Sequence, residues 1–98
     1  MIRSFADRDT ERLFRREWVR RWGATLQRAG LQTLVTLDAA VTLEDLVQTP
    51  GNRLEKLRGD RAGQWSIRVN AQWRVCFRWA PDGPHEVEMV DYHGGQRR

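Results

Sequence analysis

The sequence predicts an α+β fold, with two to three helices in the first half of the chain and antiparallel strands in the second. Up to Gln48, apolar residues recur every three or four positions, the spacing of amphipathic helices. From Trp65 onwards, apolar and polar residues alternate as in half-buried strands, and Pro81–Pro84 marks a turn between two such runs. Because helices and strands are segregated along the chain, we expect the helices to cover one face of a small antiparallel sheet.

The first helix is predicted to follow a short extended segment at Ile2–Ser4. Asp7 is a typical N-cap residue, and Gly23 is a typical signal for the end of a helix. Between them, four large apolar residues recur at helical spacing and are expected in the core: Leu13, Phe14, Trp18 and Trp22.

Two further helices are predicted before position 50. The second runs from about Ala24 to Ala40. Its expected apolar stripe consists of Leu26, Ala29, Thr33, Leu34, Leu37 and Ala40. The third is short: Thr42 and Asp45 form the pattern of a capping box, and Pro50 must end the helix.

The strands are predicted around residues 65–69, 73–79 and 87–91. If opposed residues share a face, Ile67 is expected opposite Trp73, so that both lie in the core. That pairing centres the hairpin on Asn70 and gives a loop of three residues, with Asn70 or Ala71 left-handed.

Positive charge is concentrated in the strand region. The 98 residues, read as one domain (1–98), carry 17 Lys and Arg against 13 Asp and Glu, and Arg53–Arg78 alone holds seven cations and two anions. The face of the hairpin away from the helices carries Ser66, Arg68, Arg74 and Arg78. We expect this face to be open and cationic, a surface that attracts phosphate groups.

Composition excludes several classes of protein. The single Cys76 rules out a disulfide framework and a cysteine-based zinc site, and His85 and His93 lack the spacing of metal ligands. We expect no metal and no cofactor. The amino terminus has no hydrophobic signal region, and no apolar run is long enough to span a membrane, so a cytoplasmic protein with no membrane partner is expected.

The residue types needed to cleave RNA are present. Attack by the 2′-hydroxyl requires a base, an acid for the leaving 5′-oxygen, and cations beside the charged phosphate. The candidates are Glu55, Arg58, Arg61, Arg74, Asp91, Tyr92 and His93.

Three stretches carry a resemblance to a known family: Asn52–Asn70 (NRLEKLRGDRAGQWSIRVN), Gln72–Trp79 (QWRVCFRW) and Val87–His93 (VEMVDYH). In order, spacing and chain length they resemble the HigB toxins, the plasmid maintenance system killer branch of the RelE/ParE superfamily. The resemblance covers nearly the whole chain.

The resemblance implies a RelE-like fold and a toxin that cleaves mRNA in the ribosomal A site, so that translation stops. It also implies neutralisation by a HigA-type helix-turn-helix antitoxin, and contact with operator DNA only through that antitoxin.

The resemblance also implies site residues. His93 would be the general acid or base, Asp91 its partner, and Tyr92 would stack on a base. Arg58, Arg61 and Arg74 would bind the scissile phosphate, with Arg58 standing where a lysine is usual, and Glu55 stands where one member has a histidine. Which of His93, Asp91 and Glu55 is acid and which is base stays open. Further RNA contacts are expected from Lys56, Arg68 and Arg78.

Two other functions compete with this interpretation. Relatives of the ParE type share the fold and poison gyrase by binding, without catalysis. A catalytically decayed toxin, kept as a co-repressor with its antitoxin, is the second alternative, and Glu55 and Arg58 are its support.

Overall fold

The structure, a computed structural model, describes residues 1–91. Three α-helices precede a four-stranded sheet in which every neighbouring pair is antiparallel, in the order β1-β2-β3-β4. The helices are α1 (Arg8–Phe14), α2 (Ala24–Ala39) and α3 (Leu43–Gln48), and the strands are β1 (Glu55–Lys56), β2 (Trp65–Arg68), β3 (Trp73–Ala80) and β4 (Gly83–Asp91). The predicted α+β class is confirmed.

The amino-terminal segment lies along β4, as an extra parallel partner. Phe5 pairs with Val87, and the amide of Arg3 donates to the carbonyl of Pro84 at 2.8 Å. Its main chain therefore covers part of an edge of the sheet that would otherwise expose unpaired backbone groups.

Helix α1 begins as predicted but ends much earlier. The Asp7 carboxylate accepts from the amide of Thr10, the expected N-cap. After Phe14 the chain turns through Arg16, whose φ is +64°, and the amides of Arg16 and Glu17 bond back to the carbonyls of Leu13 and Arg12. This is a Schellman ending, in which the left-handed position is usually glycine.

The predicted extension of that helix to Gly23 is therefore wrong, and so is the expected burial of Trp18, which is 61% exposed. Trp22 is buried as predicted, but from a loop, and its ring meets that of Trp73 edge-on at 6.1 Å between centroids. Gly23 is the N-cap of α2 and does not end α1.

Helix α2 matches its predicted range, but two of its buried residues, Gln27 and Gly30, are absent from the predicted stripe. The side-chain carboxamide of Gln27 accepts from the backbone amide of Val19 and donates to the backbone carbonyl of Trp22. These two bonds fix the loop before the helix. At Gly30 an added Cβ would lie 2.6 Å from the sulfur of Met89, so α2 and β4 approach too closely for a side chain there.

Helix α3 has the predicted capping box. The Thr42 hydroxyl accepts from the amide of Asp45, and the Asp45 carboxylate accepts from the amide of Thr42.

The faces of the hairpin are as predicted, but its register is not. Ile67 lies opposite Val75 instead of Trp73, and the hairpin centres on Ala71. The carboxamide oxygen of Asn70 accepts from the amides of Gln72 and Trp73, both at 2.8 Å, and this side-chain turn shapes the loop without a left-handed residue at Asn70 or Ala71. A shift of two residues keeps every side chain on its predicted face.

The core lies between the helices and one face of the sheet. Its fully buried residues include Leu34 and Leu37 from α2, Ile67 from β2, and Val75 and Phe77 from β3. Within residues 1–91, no helix is both long and apolar enough to cross a membrane.

Candidate functional site

The face of the sheet that points away from the helices holds part of the predicted site. The register pairs Ser66 with Cys76, Arg68 with Arg74, and Cys76 with Glu88. We call these five residues the polar sheet face. Glu55 on β1 lies directly opposite Ser66 and therefore belongs on the same side.

Arg74 is buried at the middle of the polar sheet face, with only 8% of the residue exposed. Its Nε donates to the Ser66 hydroxyl at 2.7 Å, and its Nη2 donates to the carbonyls of Arg53 and Ser66. The amide of Arg68 bonds to the carbonyl of Asn52, which holds the chain before β1 across this end of the sheet.

The prediction of an open cationic face is therefore wrong at Arg74 and at Ser66, which is fully buried. The predicted pairing of Ile67 with Trp73 would also put Arg74 opposite Ser66, whereas its register partner is Arg68. The alternation of apolar and polar residues correctly predicts the side of the sheet on which Arg74 and Ser66 lie. It carries no information about the loop that covers that side.

Arg61 reaches the polar sheet face from the loop between β1 and β2. A 3₁₀ turn at Gly59–Arg61 precedes β2, and Nη1 of Arg61 donates to Glu88 Oε1 and to Gln64 Oε1, both at 3.0 Å. Both side chains of the Arg61–Glu88 ion pair are less than a third exposed.

The Cys76 thiol lies among the charged groups of this face. Burial raises its pKa to about 11; the positive charges of Arg61 and Arg74 act against this shift, and the carboxylate of Glu88 adds to it. Arg61, Arg74 and Glu88 therefore surround one point of the sheet. Cys76 itself is fully buried and protonated at neutral pH, so it is no nucleophile.

Glu88 is the site residue that sequence reasoning missed. It alternates with Val87 and Met89, two buried residues, so the pattern of β4 already gave its side of the sheet. Its partner could not be inferred, because the loop that carries Arg61 has no regular periodicity.

The other predicted RNA contacts take no part in the Arg61–Glu88 and Arg74–Ser66 hydrogen bonds. Lys56 is opposite Trp65 on the core side of the sheet, with its Nζ 5.9 Å from the indole centroid. Arg78 lies beyond an irregularity in the pairing of β3 with β4, and its Nε donates to Glu86 at 3.2 Å. Arg68 is half-buried and donates to the carbonyl of Asn70, and Arg58 is exposed.

Asp91 ends β4 opposite Trp73, so the register places it on the core side of the sheet and not with Arg74. Its carboxylate accepts from the side-chain amide of Gln72 at 2.8 Å. Of the predicted set, the structure brings together Arg61 and Arg74, with Glu55 on the same side. Tyr92 and His93 lie outside the described residues.

Two guanidinium groups beside one carboxylate suit the binding of a phosphodiester. Arginine keeps its charge at any physiological pH and binds phosphate oxygens through paired N–H donors, but it does not transfer protons. Proton transfer therefore needs other groups, and Glu55, which is exposed, is the candidate among those on this side of the sheet.

Comparison with known proteins shows the family to which the chain belongs. Residues 3–93 match the family model described as the RelE-like toxin of the type II toxin-antitoxin system HigB. Toxin HigB-1 of Vibrio cholerae serotype O1 is 41% identical over 70 residues, which cover 71% of this chain and 73% of the relative. Endoribonuclease HigB of Proteus vulgaris is 42% identical over 41 residues, 42% of this chain and 45% of that protein. The chain therefore belongs to the HigB-like family, the RelE-like toxins of type II toxin–antitoxin systems.

Proposed function

We propose that this toxin is a ribosome-dependent mRNA endonuclease that acts in the cytoplasm, inhibits translation and is neutralised by a HigA-type helix-turn-helix antitoxin. The observation that carries the proposal is the placement of two arginines on either side of Cys76: Arg74 is bonded to Ser66 and Arg61 to Glu88, the two residues that pair with Cys76 in the sheet. The relative named Endoribonuclease HigB supports the activity.

In the proposed mechanism, Arg61 and Arg74 hold the scissile phosphate and stabilise the charge that develops on it. Arg58 adds a third positive charge. Proton transfer to and from the reacting oxygens falls to Glu55, Asp91 and His93, because carboxylate and imidazole groups serve as general acids and bases, whereas guanidinium groups do not. Tyr92 stacks on a base of the message, and Arg68, Arg78 and Lys56 contact the RNA backbone at a distance from the cleaved bond.

Dependence on the ribosome follows from the incomplete acid–base set. The Arg61–Glu88 and Arg74–Ser66 contacts fix the positive groups, whereas Glu55 and Asp91 lie on opposite sides of the sheet by register. A message held by the ribosome supplies the orientation that the protein alone does not impose, and orientation lowers a barrier substantially. No cofactor is required, and contact with operator DNA comes only through the antitoxin.

Cleavage on programmed ribosomes tests the proposal. The purified toxin is expected to cut a message with a codon in the A site, to leave the same RNA intact without ribosomes, and to stop cutting when the antitoxin from the same operon is added. Equal cleavage of naked RNA would contradict ribosome dependence.

A gyrase supercoiling assay on the same preparation tests the non-enzymatic alternative. We expect supercoiling to be unaffected. Growth arrest with intact messages and inhibited supercoiling would overturn the proposal and indicate a ParE-like binder.

A further inference from the structure

A shallow groove between α2 and α3 exposes apolar side chains far from the polar sheet face in the fold. It measures roughly 400 Å³, and its walls include Val35, Ala39, Ala40 and Leu46. We call it the valine groove. Val35 is 41% exposed, and next to the walls along the chain stand Val41 (81% exposed) and Val47 (58% exposed).

The charge around the valine groove is opposite to that of the whole molecule. Between Arg28 and Arg53 the sequence has no lysine or arginine and three acidic residues, whereas the chain as a whole carries +4. These residues are Asp38, Glu44 and Asp45. None of them belongs to an ion pair found within residues 1–91.

The acidic side chains are held in place by uncharged donors. Asp45, which lines the groove, accepts from the amides of Val41 and Thr42, and these bonds lower the pKa of its carboxyl. Glu44 accepts from the side-chain amide of Gln48, and Asp38 from the amide of Ile2. The negative charge of these side chains is therefore not balanced by a basic partner among them, and it presents a negative field to an approaching molecule.

An apolar groove with negative charge around it favours a protein partner over RNA. RNA and the ribosomal surface are polyanions, and a field of the same sign repels them. An apolar groove bordered by carboxylates instead suits a protein segment that places aliphatic side chains in the groove and lysine or arginine at its flanks. A type II toxin has one dedicated protein partner, its antitoxin.

We propose that the valine groove binds an amphipathic, positively charged segment of the antitoxin. This proposal rests on membership of the toxin family and not on the endonuclease activity. Val35 contributes apolar contact from α2. Val41, just before α3, and Val47, in its last turn, extend the apolar surface beside the groove, and Glu44 and Asp45 attract the basic flanks.

Titration calorimetry with the purified antitoxin of the same operon tests the proposal. Val35→Lys and Val47→Lys each remove apolar contact and add a repelling charge, and each is expected to weaken the Kd about tenfold or more, as for residues central to an interface. Glu44→Lys is expected to weaken binding less and to reduce its dependence on salt. Val35→Thr keeps the size of the side chain and adds no charge. It is expected to weaken antitoxin binding less than Val35→Lys does, and it still tests the groove if Val35→Lys fails to fold.

Trp18→Lys is the matched control, since Trp18 is an exposed apolar residue that lies neither in the groove nor on α2 or α3. It is expected to bind the antitoxin within about twofold of the unmodified toxin, the range of a residue outside an interface. Unchanged affinity in Val35→Thr, Val47→Lys and Glu44→Lys would overturn the proposal. So would a toxin dimer, seen by sedimentation, that Val47→Lys dissociates while antitoxin binding persists.

Cleavage on ribosomes, measured for the same variants, separates this proposal from the proposed function. Val35→Lys and Val47→Lys are expected to cleave as the unmodified toxin does. If the unmodified toxin does not cleave but these variants still lose the antitoxin, the endonuclease proposal fails and the valine groove stands.

Discussion

The Nε of Arg74 donates to the hydroxyl of Ser66 at 2.7 Å, although the residue directly opposite Arg74 in the sheet is Arg68. The contact therefore runs diagonally across β2 and β3, and it carries the guanidinium away from Arg68, so that two positive charges on opposed residues do not face each other. The same contact buries Arg74, which gives this residue a structural role in addition to the proposed role in phosphate binding.

Arg74→Glu is expected to unfold or strongly destabilise the protein. A carboxylate at this position would meet the carbonyl oxygens of Arg53 and Ser66, which accept hydrogen bonds and offer none. We expect a loss of roughly 3–5 kcal/mol in the free energy of unfolding, the size typical of an uncompensated buried charge. Urea denaturation followed by circular dichroism measures it, with Arg68→Glu as the less buried control. A normal unfolding curve for Arg74→Glu would contradict the burial of this side chain.

The two tryptophans near the end of α1 are expected to differ sharply. Trp18 is 61% exposed, whereas Trp22 is 2% exposed and packs against Trp73. Trp18→Ala should change the free energy of unfolding by about 0.5 kcal/mol or less, and Trp22→Ala should lower it by about 3–5 kcal/mol. Thermal melts of both variants check this, and equal losses would restore the longer amino-terminal helix that the sequence predicts.

Glu88→Gln is expected to slow cleavage more than it affects folding. The substitution keeps a hydrogen-bond acceptor for Arg61 but removes the charge that fixes its guanidinium at 3.0 Å. Stability should fall by about 1 kcal/mol or less, and single-turnover cleavage on ribosomes by about tenfold through lost positioning.

Glu86→Gln is the matched control for Glu88→Gln, because Glu86 is also on β4 and pairs with an arginine, Arg78 of β3, but this pair is more exposed. It should cleave as the unmodified toxin does. Equal rates for the two variants would show that Glu88 does not position Arg61 for the reaction.

Cys76 is expected to resist alkylation in the folded protein. Burial raises its pKa to about 11, and the thiol is fully enclosed, so iodoacetamide near neutral pH should react only after unfolding. The raised pKa of Cys76 also makes the free energy of unfolding fall at high pH. The stabilisation is present in full below the ordinary thiol pKa of 9.0 and is lost as the pH rises towards about 11, because the thiol of the unfolded chain ionises first. Mass spectrometry of native and denatured samples checks the first expectation, and rapid native labelling would refute it.

His93→Ala is expected to abolish activity without loss of antitoxin binding. A lost general acid or base typically lowers a rate about 10²–10⁴-fold. His85→Ala is the control: His85 contacts Asp82 at 2.7 Å beside the turn between β3 and β4, away from Arg74 by register, and its loss should leave cleavage intact. Single-turnover cleavage on programmed ribosomes compares them. Normal cleavage by His93→Ala would transfer proton exchange to Glu55 and Asp91.

Much of the fold followed from local patterns, and the failures have physical reasons. The capping box at Thr42 and the alternation from Trp65 to Trp79 depend on neighbouring residues, so both were predicted correctly. The end of α1 was missed because Arg16 occupies a left-handed position that normally signals itself with glycine.

The site was predicted less completely than the fold. Alternation placed Arg74 on the correct side of the sheet, but its burial depends on Arg53 and Asn52, which reach it through a loop without periodicity. Asp91 belongs to the motif that ends in His93, yet strand register, and not proximity in the motif, decides the side on which it lies.

The pairing of Phe5 with Val87 determines when the toxin can finish folding during its synthesis. The Thr10 hydroxyl also accepts from the amide of Met89, 79 positions later in the chain. A nascent chain that has not yet released β4 from the ribosomal tunnel thus lacks the partner of its own amino terminus. It also lacks Glu88, the residue that holds Arg61. Assembly of the arginine cluster is therefore a late step, which follows the exit of β4 from the tunnel.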